Sequence, residues 1–339
     1  MSMQLQPRQP AGKAGPWLVA DIGGSNARFG MLNGKGAPIQ HVRKLAVAEY
    51  PDPAAAAQAY LEDLAGVLGA EFRPPSRAAF AVATAAAGDQ IEFTNSHWSF
   101  SQSVVQTQLQ LDSLLVLNDF KALALSLPRL QASQLRAHGA LPSPQGTLAV
   151  IGPGTGLGVA GVVQTRNGWI ALPGEGGHVS LSAADDFESA LLAHVRGQFP
   201  HVSAERLLSG IGLPILHRAV AALAGGATTS MSTEEIVEHG LAASDAICSQ
   251  TLDVFCALLG GFAGNVALTL GARGGVYIGG GIVPRFGDYF FSSRFRERFV
   301  AKGRLRGYLE EIPTALITDT LVALSGAAMA IEQHEQTIT

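Results

Sequence analysis

Asp21-Ile22-Gly23-Gly24-Ser25-Asn26, preceded by the apolar run Trp17-Leu18-Val19-Ala20, has a counterpart far along the chain. The second copy is Gly152-Pro153-Gly154-Thr155-Gly156, preceded by Leu148-Ala149-Val150-Ile151. An apolar stretch also leaves each turn, Ala27 to Leu32 in one and Leu157 to Val163 in the other. A strand, a glycine turn carrying a hydroxyl and a second strand therefore recur. Glycine has no Cβ, so such turns let backbone N–H groups converge on an anion, and the Ser25 or Thr155 hydroxyl adds a donor. Neither is a Walker loop, because no Gly-Lys-Ser/Thr follows, and Leu157 breaks the spacing of a dinucleotide fold. As a pair they point to a polyphosphate gripped from two sides.

Outward from the first turn, Asn33-Gly34 signals a hairpin before a third strand near His41 to Val47. Asp52 caps a helix with Pro53 in its first turn, and Ala57, Tyr60, Leu61, Leu64, Val67 and Leu68 share one face. Ala78 to Ala83 and Ser113 to Leu117 read as buried strands around a helical segment near Ser101 to Leu109. A linker-like stretch, Pro128 to Pro144, precedes the second turn, where the pattern starts again. Later segments are more helical: Asp186 to Gln198, Pro214 to Leu223, Thr233 to Ala243 and Ser244 to Leu270. A short strand, Val276 to Ile278, then runs into Gly279-Gly280-Gly281, and a last helix covers Thr320 to Gln333. This predicts an α/β chain of duplicated β-β-β-α-β-α halves forming two lobes. The expected division is a disordered tail at 1–16, a small α/β domain at 17–128 with 318–336, and a large α/β domain at 129–317.

The bulk properties agree. A chain of 339 residues exceeds one ordinary core, and 47% hydrophobic residues suffice for two. The net charge of -4 and the lack of a long Lys/Arg run argue against nucleic acid and anionic membrane as partners. The Gln- and Pro-rich start has no apolar core, so no signal peptide is expected. Val254 to Ala272 is long enough to span a bilayer, but Gly260, Gly261, Gly264 and Asn265 within it favour a buried helix of a soluble core. Cys248 and Cys256 lie on one helix, roughly 12 Å apart in rise, too far for a disulfide, which fits a reducing cytoplasm.

Three further constellations carry chemistry. Asp119 closes an apolar strand beside Asn118, where its carboxylate can act as a general base toward a hydroxyl or simply cap a helix. Glu175-Gly176-Gly177-His178 has the spacing of a carboxylate metal site, but its two glycines argue against the helix such a site requires. Glu175 and His178 are better suited to clamp sugar hydroxyls. Glu205, in His201-Val202-Ser203-Ala204-Glu205-Arg206, reads alone as a first-turn helix residue. Gly279-Gly280-Gly281 is either a tight turn or a flat bed for adenine.

Together these stretches resemble the bacterial glucokinase family, a branch of the hexokinase, actin and Hsp70 superfamily, over nearly the whole chain. The resemblance is carried by 21–28, Thr94-Asn95 with Trp98, Asn118-Asp119-Phe120, 152–158, 172–178, 201–210 and 279–286. It implies a two-lobed actin-like ATPase (ribonuclease H-like) fold and ATP-dependent phosphorylation of the 6-hydroxyl of D-glucose. It further implies Asp119 as catalytic base, with Asn95, Asn118, Glu175, His178 and Glu205 holding the sugar. Phosphate loops are expected at Gly23, Gly24, Ser25 and Asn26, and at Gly152, Gly154, Thr155 and Gly156, with Gly279, Gly280 and Gly281 near adenosine. Asp21 is the candidate for holding Mg²⁺, through water. A cytoplasmic homodimer is also implied. The chain departs from the family at Ala85-Ala86-Ala87, where a Pro-Ile pair is usual ahead of Gly-Asp. A related branch of sugar kinases and repressors has a cysteine-rich zinc motif, whereas here no cysteine lies between His178 and Cys248, so zinc is not expected. The rival readings are a kinase of fructose or mannose, a sugar-responsive regulator and an actin- or chaperone-type ATPase. The short segment before Trp17 leaves no room for a helix-turn-helix, and the hydroxyl clamp has no use in the last class.

Overall fold

The computed structural model describes residues 15–93, 96–226 and 230–338, with side chains through 335. Asn95 and most of the expected tail lie outside the described residues. Contacts divide the chain into two compact units, Met1–Ala122 with Ala323–Thr339, and Leu123–Val322.

The first unit is built on strands β1 (Trp17–Ile22), β2 (Asn26–Leu32), β3 (Gln40–Ala46) and β4 (Arg77–Val82), a small hairpin β5 (Gln90–Glu92) and β6 (Ser99–Ser101), and β7 (Ser113–Asn118). Its five-stranded sheet runs β3-β2-β1-β4-β7. The β1, β2 and β3 strands pair antiparallel, and β4 and β7 add parallel to β1. That change of sense follows from the connections, since β1 and β2 are joined by the short glycine turn while β4 arrives through helix α1 (Pro53–Leu68). Asp52 accepts the Ala55 N–H at 2.8 Å and Pro53 opens the helix, as the sequence signals predict. Tyr60 and Leu64 are buried, with Tyr60 stacked on Phe29, but Val67 lies 66% exposed, so the apolar face is shorter than its spacing implies. Helix α2 (Gln102–Gln108) is capped by Ser101, and Asp89, just beyond the Ala85-Ala86-Ala87 departure, accepts the Ser103 N–H at 2.8 Å.

Helix α3 (Asp119–Ser126) leads into the second unit, whose strands are β8 (Leu135–Ala137), β9 (Thr147–Pro153), β10 (Leu157–Thr165), β11 (Gly168–Gly174), β12 (Gly275–Ile278) and β13 (Thr314–Ile317). The order is β11-β10-β9-β12-β13-β8. Omitting β8, the sequence of strands and their senses repeat those of the first sheet, with β9 to β11 antiparallel and β12 and β13 parallel to β9. The expected duplication is therefore present at the level of topology. The supposed linker between Pro128 and Pro144 is a correction: it contains β8, which pairs antiparallel with β13. Three residues are too few to show a period of two.

Helices α4 (Asp186–Arg196), α5 (Ala204–Leu207), α6 (Leu213–Leu223), α7 (Thr233–Leu241), α8 (Ala246–Leu270), α9 (Asp288–Ser292), α10 (Phe295–Val300) and α11 (Arg306–Glu310) complete that unit. The final helix is α12 (Val322–Ile338). By length and composition α8 could cross a membrane, with a mean hydropathy of 1.6, yet 72% of that window is buried inside the protein. Its glycines explain the burial: a Cβ on Gly260 would sit 2.1 Å from the Phe295 carbonyl oxygen, and one on Gly264 2.5 Å from that of Phe299. Helix α10 thus packs backbone to backbone against α8 only because those residues are glycine.

Candidate active site

In the first unit the chain turns from β1 to β2 through residues 23–25, closed by the Gly23 N–H donating to the Asn26 carbonyl at 2.9 Å. This hairpin register sets Asp21 directly opposite Arg28, and the two side chains pair at 3.1 Å. Asp21 is pushed above the ordinary carboxylate range chiefly by burial, which the Arg28 charge and hydrogen bond oppose. Its ion pair engages Oδ2.

Asn118 ends β7 and Asp119 begins α3. The capping expected as the bland role of Asp119 belongs largely to Asn118, whose Oδ1 accepts the N–H groups of Phe120 at 3.0 Å and Lys121 at 3.2 Å. The Asn118 amide in turn donates to the Thr84 carbonyl at 3.3 Å, tying this corner to the segment after β4. Asp119 accepts the N–H of its neighbour Phe120 at 2.8 Å through Oδ1. Burial raises the Asp119 pKa from 3.8 to about 6, against that hydrogen bond and with a further push from the negative charge of Asp21. A carboxylate poised near neutrality, with its partner residue doing the structural work, has the properties of a general base.

The second unit gathers most of its predicted residues. Between β9 and β10 the turn is held by the Gly154 N–H donating to the Gly156 carbonyl at 2.8 Å, while the Gly154 carbonyl accepts from the Gly210 N–H at 2.7 Å. Gly279 to Gly281 follow β12 against this turn. The Gly279 N–H donates to Ile151 at 2.8 Å, and Gly280, with φ of 77°, passes so close that a Cβ would fall 2.2 Å from the Pro153 carbonyl oxygen. Glycine at 280 is thus required by the approach of backbone to the phosphate-type turn. Gly154 and Gly281 differ, since a Cβ on either would meet nothing within 4 Å.

Glu205 sits on α5, whose first turn is capped by the Ser203 side chain. It is more than a first-turn residue: its Oε2 accepts the Leu157 N–H at 2.8 Å, joining α5 to the start of β10. Its Oε1 lies 3.9 Å from Nε2 of His178. His178 ends a single 3₁₀ turn that begins after Glu175, and both residues are exposed. The two glycines between them serve the protein's own packing, because a Cβ on Gly177 would lie 2.0 Å from the Leu157 carbonyl oxygen and one on Gly176 2.9 Å from Cβ of Val159. Glu205, His178 and the 152–156 turn therefore converge at the head of β10.

Asn95 cannot be placed, lying outside the described residues. Nearby, Trp98 is buried and its indole N–H donates to the Tyr50 carbonyl at 2.9 Å. Arg28 is the residue that reading the sequence did not single out as a site residue. Its signal was the hairpin itself, because pairing about the 23–25 turn places it opposite Asp21.

The family model for glucokinases matches residues 18–334. The chain is 47% identical to the glucokinase of Chromobacterium violaceum over 95% of its own length and 91% of that protein's. It is 48% identical to the glucokinase of Aromatoleum aromaticum over 94% and 95%. The crystal structure of a glucokinase from an Antarctic psychrotroph superposes with a TM-score of 0.86 at 35% identity, covering 94% of this chain and 99% of that one. The fold class is the actin-like ATPase fold expected from the sequence. With the family model spanning nearly the whole chain, this protein belongs to the glucokinase family.

Proposed function

We propose that the chain transfers the γ-phosphoryl group of ATP to the 6-hydroxyl of D-glucose, giving glucose 6-phosphate and ADP. The observation that carries the chemistry is Asp119, a carboxylate raised to about 6 at the head of α3 while Asn118 supplies the cap. In its ionised form Asp119 takes the proton of the 6-hydroxyl as that oxygen attacks phosphorus, and the bond to the ADP oxygen breaks. Asn118, Glu175, His178 and Glu205, with Asn95, hold the other hydroxyls, and Glu205 is pre-oriented by its bond to Leu157. The turns at Gly23, Gly24, Ser25 and Asn26 and at Gly152, Gly154, Thr155 and Gly156 offer N–H and hydroxyl donors to phosphate, and Gly279 to Gly281 line the nucleoside.

The carboxylates of Asp21 and Asp119 are hard oxygen donors close enough to act on one another, a donor set suited to a hydrated magnesium ion. Mg²⁺ held through water by Asp21 supplies charge neutralisation on the phosphates when bound. This chemistry has no role for zinc. We place the protein in the cytoplasm, in keeping with its two free cysteines, as a homodimer with glucose and ATP as its partners rather than nucleic acid or membrane. The small domain at 17–128 with 318–336 and the large one at 129–317 divide these roles. A coupled assay with ATP and a panel of glucose, fructose and mannose tests the reading: turnover of glucose is expected to dominate, and a preference for another hexose would overturn the assigned substrate. Light scattering on a sizing column tests the dimer.

A further inference from the structure

Helices α6 and α8 bring together three residues that the phosphoryl-transfer chemistry does not use. His217 of α6, Asp245 at the N-cap of α8 and Cys248 in its first turn offer ligand atoms that all lie within 4.8 Å of one another. His217 is 3% exposed and Cys248 fully buried. The Nδ1 of His217 is buried with no hydrogen-bond partner among the described residues. A buried imidazole nitrogen left without a partner is costly, and it asks for an acceptor, a donor or a cation. Asp245 caps the helix with Oδ1, accepting the Cys248 N–H at 2.8 Å, and its carboxylate also faces the Cys248 thiol. The thioether of Met231 lies 3.8 Å from the Cys248 sulfur, so a soft fourth donor stands at the same place.

We infer that His217, Asp245 and Cys248 form a binding site for one zinc ion that pins α6 to the start of α8. The donor set favours this ion over others. A nitrogen, a sulfur and a single carboxylate oxygen suit a borderline-soft metal, whereas magnesium and calcium take oxygen alone. Charge decides the oxidation state: a thiolate and a carboxylate carry two negative charges, which a divalent ion cancels and a monovalent one leaves half-compensated in a buried place. On binding, the thiol proton leaves to solvent and sulfur coordinates as thiolate. Tetrahedral zinc holds such ligands roughly 3.3–3.8 Å apart, so small side-chain rotations from the present arrangement complete the geometry. The zinc motif excluded from the sequence was a contiguous cysteine cluster. This one is assembled from two helices and uses Cys248, the first cysteine after the gap.

The test uses the full-length chain, stripped of metal with a chelator and titrated with Co²⁺ as a spectroscopic stand-in for zinc. Wild type should bind one cobalt per chain with a thiolate-to-cobalt band in the near ultraviolet and tetrahedral absorption in the visible, both erased by added zinc. Zinc should also raise its melting temperature. Cys248→Ser should lose the thiolate band, Cys256→Ser should keep it, and His217→Gln should weaken binding by more than roughly 100-fold, beyond the loss typical of a mere supporting partner. Circular dichroism checks that each variant is folded, and should Cys248→Ser fail to fold, the wild-type and Cys256→Ser spectra still decide. Folded wild type with neither a cobalt band nor a zinc-dependent melting shift would overturn the site, as would a band that survives in Cys248→Ser or disappears in Cys256→Ser.

Discussion

Replacing Asp119 with Asn separates catalysis from stability in opposite directions. The amide oxygen of Asn can still accept the Phe120 N–H, now 2.8 Å from Oδ1, and the cap of α3 comes from Asn118, so the helix keeps its start. The variant loses the ability to take a proton, and kcat should fall by roughly 10²–10⁴. Stability should rise. Burial lifts the folded-state pKa of Asp119 from 3.8 to about 6, so the fold favours the protonated acid. The stability from that preference is fully present below the unfolded value and is lost as pH rises through about 6. At neutral pH the buried charge costs at most about 3 kcal/mol, and less once water and side chains relax around it. A neutral Asn removes the cost. Thermal melts should therefore show the variant more stable than wild type at neutral pH, with the gain shrinking on acidification. Wild-type kcat/KM should climb as pH passes through about 6 and then level, a limb absent from the variant. A variant that keeps more than about a tenth of wild-type kcat lies outside the range of general-base catalysis and removes Asp119 from the mechanism. A lower melting temperature at neutral pH would refute the electrostatic argument.

Glu175→Gln and Glu205→Gln should each raise KM for glucose far more than KM for ATP, by roughly 10- to 150-fold for a charged acceptor worth about 1.5–3 kcal/mol. Only Glu205→Gln should also lower the melting temperature, since it alone weakens the bond to Leu157; equal changes in both KM values would count against the clamp. Gly154→Val points a side chain into space free of protein atoms within 4 Å, so calorimetry should find ATP binding weakened with the fold intact, and unchanged affinity would dismiss that turn as a phosphate loop. Gly280→Ala collides with the Pro153 carbonyl at a positive φ, so it should reduce soluble yield and melting temperature before any effect on ATP is reached. Activity should vanish on removal of Mg²⁺ and return when it is restored; full turnover in excess chelator would disprove a role for the ion.

The parts legible in the sequence are those encoded within a few consecutive residues. Asp52-Pro53 and the apolar runs into each glycine turn depend on local geometry alone, whereas Arg28, set opposite Asp21 by the first of those turns, was not singled out. The Asn118-Asp119 dipeptide marks a functional corner, but nothing in its order says that Asn118 caps while Asp119 stays reactive. That division is set by which side chain faces the N–H groups of α3. The strands β8 and β13 escaped because three or four residues carry no measurable period, and α9 to α11 are a turn or two each. The bond from Leu157 to Glu205 and the meeting of His217 with Cys248 join elements distant in sequence. Spacing along one chain contains no trace of such encounters. The glycines of 176–177 read in the sequence as helix breakers, while what they make room for, the Leu157 backbone and the Val159 side chain, was not legible.

The small strand β8 has a consequence for how the protein survives at high concentration. Without it, the six-stranded sheet would end on β13, four buried residues, Thr314-Ala315-Leu316-Ile317, with an open row of amides and carbonyls. Such an edge is a template on which another chain can add a strand and begin an aggregate. The strand actually outermost offers only Leu135-Arg136-Ala137, and its central arginine is occupied by Asp288 and lies 4.0 Å from the centre of the Phe291 ring. A sheet finished by three residues with a charge in the middle gives a newcomer too little length to grip, so this margin protects the folding chain from its own copies.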